Sequence, residues 1–144
     1  EEQTAIFDTD SIEPTARNEF SEFPYTTDYG KIRMEDHLPE ILPKEDPLNY
    51  AKRVIKERLK GYVSGTTATH MIPEYMASFY YTTEGRVAVY IRGMGYPDDA
   101  VGGSEARIDF QVQDDKWQVV WSGYRLYCRR MHAEYWTPAH KSCP

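Results

Sequence analysis

At 144 residues the chain is the length of one ordinary domain, and a hydrophobic content of 40% excludes disorder throughout. Its net charge of -6 is uneven: residues 1–30 carry eight acids and a single base, a net of -7, while the remainder comes to +1. An acidic arm argues against a nucleic-acid partner, which needs clustered cations, and leaves a basic partner open.

Residues 1–45 read as an extended acidic arm. Apolar residues are sparse there, and Pro14, Pro24, Pro39 and Pro43 punctuate it. A like-charge segment of this kind is usually a solvated leader. Phe20, Phe23, Tyr25 and Tyr29 could pin part of it to the domain, and residues 34–42 allow a short helical turn.

Residues 46–144 read as a single domain. Asp46 suits an N-cap and Pro47 the first helical position. Leu48, Ala51, Val54, Ile55, Arg58 and Leu59 then recur at three- and four-residue steps, with Lys52, Arg53, Lys56, Glu57 and Lys60 opposite. The spacing predicts an amphipathic helix over 47–60, with Gly61 as its stop.

Strands follow. Residues 74–82 are rich in aromatics and run into the hairpin signal Glu84-Gly85. In Arg86–Arg92, Val87, Val89 and Ile91 share a face. After a loop over 93–104, Ala106, Ile108, Phe110 and Val112 alternate with Arg107, Asp109, Gln111 and Gln113, the mark of a strand with one dry face. Asp114-Asp115-Lys116 turns the chain. Trp117, Val119 and Trp121 open the last strand on one face, whereas Tyr124, Leu126 and Cys128 form the opposite set. A one-residue slip flips faces, so the pattern predicts a bulge or bend at Ser122-Gly123.

The expected fold is therefore α+β: an amphipathic helix packed on a curved antiparallel sheet, with the acidic arm extended from it. The order of elements is similar to the cystatin-like folds, including the cone-shaped NTF2-like group. The stretch Gly95-Tyr-Pro-Asp-Asp-Ala-Val-Gly-Gly103, then residues 115–128, Trp136 and Cys143-Pro144, resembles uncharacterised bacterial envelope proteins over about 50 residues. That resemblance implies secretion and a disulfide and brings no catalytic residues.

Cys128 and Cys143 are either unpaired thiols in a reducing compartment or one bridge in an exported chain. They bracket a tail with little periodic structure, and a bridge there is the favoured reading. It would be worth about 3 kcal/mol in the chain-entropy model. No apolar run approaches the roughly 18 residues of a membrane-crossing helix. The chain begins at Glu1 without Met, which fits removal of a signal or lipoprotein leader and equally fits a cloning boundary. The expected location is exported, periplasmic or on the outer surface, with a lipid anchor before trimming left as one option.

No P-loop, nucleophile elbow, HExxH, GxGxxG or CxxC occurs in the sequence. His132 and His140, with Glu134 between them, read as solvated, since no spacing fixes a third metal ligand. His70 before Glu74 reads as a surface contact, since no nucleophile accompanies it. No catalytic residue, metal or cofactor is therefore assigned. Arg92, Arg107, Arg125, Arg129 and Arg130, beside tyrosines, form a candidate interface for an acidic peptide, glycan or lipid headgroup, for the chain's own arm, or for plain solvent. Tyr75, Phe79, Tyr81, Tyr90, Trp121 and Tyr124 are candidates for an aromatic pocket, or simply core. The functional expectation is a non-enzymatic envelope module for binding or assembly, with an envelope protein, peptide or glycan as partner. A small NTF2-like enzyme with an aromatic pocket and a structural domain dimerising through its sheet are the alternatives.

Overall fold

The computed structural model describes residues 5–8, 15–22, 25–27, 30–32, 38–63, 72–81, 85–97, 100–130, 133–137 and 143. All four histidines, Phe23 and Tyr29 lie outside them.

Long runs of β-branched and aromatic residues make strands here, and the strands dominate. In chain order they are β1 (Ala5–Asp8), β2 (Ser21–Glu22), β3 (Tyr25–Thr27), β4 (Gly30–Ile32), β5 (Glu74–Tyr81), β6 (Arg86–Met94), β7 (Val101–Gln113), β8 (Lys116–Arg130) and β9 (Ala133–Trp136). Seven of them build one bent sheet in the order β1-β5-β6-β7-β8-β2, with β9 also on β8, while β3 and β4 pair with each other. Every pairing in the sheet is antiparallel except β1 with β5.

One helix, α1 (Pro47–Val63), accompanies it. Asp46 caps it: the Asn49 N–H donates to Asp46 Oδ1 at 2.8 Å, and Tyr50 N–H to the Asp46 carbonyl. Glu45 locks the entry by accepting from the Leu42 N–H and from the Arg53 guanidinium. That ionic hydrogen bond to Arg53 holds the Glu45 carboxyl below its ordinary pKa. The helix runs through Gly61 rather than stopping there; an interior glycine costs about 1 kcal/mol, too little to end a helix that neighbouring residues continue. Leu48 is exposed, and Tyr50, at 0% exposure, takes its place on the buried stripe. The Tyr50 ring meets Phe110 edge-on at 5.4 Å, and its hydroxyl donates to the Pro39 carbonyl. Residues 38–42 hold no helical turn.

The expected α+β layout is corrected on this point. Among the described residues the molecule is a mostly antiparallel bent open sheet with one α-helix. The alternation in β7 predicts a strand with one dry face. Instead β6 and β7 are buried on both faces along most of their length. One face carries Val87, Val89, Ile91, Ala106, Ile108 and Phe110 against Val54, Ile55 and Leu59 of α1. The other, the distal face, is covered by the chain's own ends.

The arm is the first of these covers. β1 lies on the β5 edge and β2 on the β8 edge. Between them the chain crosses the distal face strand by strand: Thr15 over β6 and β7, Arg17 over β7, Phe20 over β8. Over residues 15–22 the arm is a strap on the sheet.

The tail is the second. Cys128 and Cys143 form a disulfide, with their Cα atoms 5.4 Å apart. The segment between them, expected to be irregular, contains β9, which pairs with β8 from Tyr127↔Trp136 to Arg130↔Ala133. Thr137 continues the match: its N–H donates to the Leu126 carbonyl, and its Oγ1 accepts from the Leu126 N–H.

The phase change in β8 is present but sits earlier than Ser122-Gly123. Phe110 pairs with Val119 and Asp109 with Trp121, so Val120 is the extra residue. Trp117 and Val119 therefore face the helix, and Trp121 faces away.

Candidate functional site

On the distal face the registers of β6, β7 and β8 align polar residues in rows. Arg92, Glu105 and Arg125 are direct neighbours across the three strands, then Tyr90, Arg107 and Gly123, then Ala88, Asp109 and Trp121. Two buried carboxylates organise these rows. Glu105, 3% exposed, accepts from Arg125 Nη2 at 2.6 Å on one oxygen and from Arg92 Nε at 3.1 Å on the other. Asp109, 6% exposed, takes Arg107 as a fork, Nε at 2.8 Å and Nη2 at 3.2 Å, and also Arg17 Nε at 2.7 Å. Charges can stay buried here because each carboxylate is paired and hydrogen-bonded.

Rings fill the spaces between the guanidiniums. Arg125 is sandwiched between Phe20 (4.9 Å) and Trp136 (4.4 Å), and Arg92 also lies over Trp136. Arg107 lies over Tyr90 and Trp121, and Arg17 over Trp121 at 5.1 Å. Such stacking orients a planar guanidinium and shields its ion pair. Tyr90 donates its hydroxyl to the Thr15 carbonyl at 2.7 Å, which also accepts from Arg107 Nη1. Burial pushes the Tyr90 hydroxyl up to about 12, against the opposing pull of Arg107.

Beside the strap lies a half-open cleft of about 310 Å³. Its polar walls are Arg17, Arg86, Arg107 and Asp109, with Ala88 and Val120 beside them. Arg86 is exposed and has no ionic partner among the described residues.

The pocket candidates do not converge. Tyr75, Phe79 and Tyr124 belong to the helix-side core, Tyr90 and Trp121 to the distal cluster, and Tyr81 is 62% exposed at the end of β5. Their separation follows from strand alternation, which puts neighbouring candidates on opposite faces. Of the five interface arginines, Arg92, Arg107 and Arg125 share the distal face. Arg129 is exposed and donates to the Tyr96 carbonyl, and the Arg130 side chain is outside the described residues.

Self-contact with the arm exists, but its chemistry differs from the expected match of acidic arm to basic sheet. The sheet arginines pair with carboxylates of the sheet itself, and the described part of the arm brings a carbonyl, a ring and a further arginine. Glu105, Asp109 and Arg17 are thus the residues sequence reading missed. The readable signal was the period-two run Glu105, Arg107, Asp109, which places three charges on one face of a strand otherwise rich in apolar residues. Among the described residues no cluster of His, Cys, Asp and Glu could hold a metal ion. No protein-family model, curated protein or solved structure matches the chain.

Proposed function

We propose that the protein is a non-catalytic binding module of the cell envelope, exported to the periplasm or outer surface, which recognises an acidic ligand on its distal face. The observation that carries this reading is the cleft at which two guanidiniums share one carboxylate while a third, Arg86, stands beside them. A site built only to satisfy its own charges would need one carboxylate per arginine; among the described residues this one has three arginines to a single carboxylate. Stacking on Trp121 holds two of those donors in place, which lowers the entropy lost on binding. The Cys128–Cys143 bridge is consistent with an oxidising compartment, and no helix among the described residues is long and apolar enough to cross a membrane.

A thermal-shift panel tests the reading, with acidic peptides, sulfated sugars and phosphorylated sugars set against their neutral counterparts. Stabilisation confined to the anionic members, fading as salt rises, is expected. No shift, or equal shifts with neutral members, would count against it.

A further inference from the structure

We infer that the Arg17–Arg86–Arg107 cleft is a site for a small phosphomonoester, with the phosphate among the three guanidiniums and a short organic part toward Ala88 and Val120. The inference deepens the distal-face reading and rests on it. Among the described residues that line the cleft, three guanidiniums face one carboxylate, Asp109, a surplus of two positive charges. A phosphomonoester carries about -1.5 to -2 near neutral pH and balances that surplus; a carboxylate supplies half as much. Guanidinium forks also match phosphate oxygens in pairs, and the two arginines on Asp109 still have unspent N–H donors. At about 310 Å³ the cleft is at the small end of ligand pockets, which suits a group of a few carbons better than a nucleotide.

Arg17 gives the site a mechanical consequence. It belongs to the strap, and its side chain is 47% exposed, whereas that of Arg107 on β7 is 14% exposed. A phosphate touching both ties the strap to the sheet.

Isothermal titration of the full chain with glycerol phosphate is the test. One saturable site is expected, weakened about tenfold or more in Arg86→Gln. Lys60→Gln, an equal charge change on the exposed side of α1, should leave affinity unaltered. Because Arg86 is exposed, its variant keeps the fold. Bound ester should also slow tryptic cleavage after Arg17 several-fold. Flotation with phosphatidate vesicles distinguishes a lipid headgroup from a soluble ester. Binding of either that Arg86→Gln removes supports the site and identifies its source. No binding by either, binding indifferent to Arg86→Gln, or equal binding of plain glycerol overturns it. An anionic hit in the thermal-shift panel that ignores Arg86 would preserve the distal-face reading and end this one.

Discussion

Gly123 shows how a single position decides whether the strap can close. It sits in the middle row of the distal face, between Arg107 and the β8 edge. A Cβ there would stand 2.5 Å from Cη2 of Trp121 and 2.8 Å from Cβ of Phe20. Phe20 is only 2% exposed, so it has no room to retreat without uncovering Arg125. Gly123→Ala should therefore cost about 1–3 kcal/mol by overpacking, read as a lower midpoint in urea. Its trace should include looser packing at Trp121, visible in near-UV circular dichroism, while the helix signal persists. A variant as stable as the parent would mean that Phe20 does not occupy this seat. The same glycine explains why the sequence pattern places the bulge at Ser122-Gly123, two residues beyond Val120. Glycine in a strand signals either a bulge or a close approach; here it serves the approach, and Val120 supplies the bulge.

Elements with many repeats of one period were legible from the sequence, and those without were not. The helix start at Asp46-Pro47 and the cores of β6, β7 and β8 follow from periodicity and caps. β1, β2 and β9 have two to four residues each and no alternation long enough to register. They are strands because β5 and β8 offer edges to them, a tertiary cause that no local window contains. The hairpin between β7 and β8 was legible from its acids, and the structure adds a reason to tune it. Asp114 and Asp115 have φ of 55° and 62°, the left-handed pair that a two-residue turn of type I′ requires. Aspartate tolerates that region at some cost, and glycine does not incur it. Asp115→Gly is expected to stabilise by up to about 1 kcal/mol, and Asp115→Val to destabilise by more than that. Melting temperatures that moved in the reverse order would show that the turn is not held in this conformation.

At the scale of the whole molecule, both ends of the chain cover one face of one sheet. The helix protects the opposite face independently, through Tyr50, Val54 and Ile55 against Val89, Ile108 and Phe110. This division predicts a graded response to reduction of Cys128–Cys143. The bridge closes a loop with a sequence separation of 15, worth about 3 kcal/mol in the chain-entropy model. Without it β9 is held by its ladder to β8, the Tyr127–Glu134 hydrogen bond and the contacts of Trp136 with Tyr127, Arg92 and Arg125, little for so short a strand. Trp136 should lift from Arg125 and Arg92, wetting the Glu105 pairs and loosening the neighbouring Phe20. The helix-side core is centred on Tyr50, Val54, Ile55, Val89, Ile108 and Phe110 and should remain. Reductant is thus expected to lower the melting temperature and expose the 129–130 arginine pair to trypsin. Amide protection in α1 and β6 should survive at temperatures below the new transition. Loss of protection everywhere at once would mean that the two faces are not separable. An unchanged melting temperature with the tail still resistant would mean that the β9 ladder alone holds it.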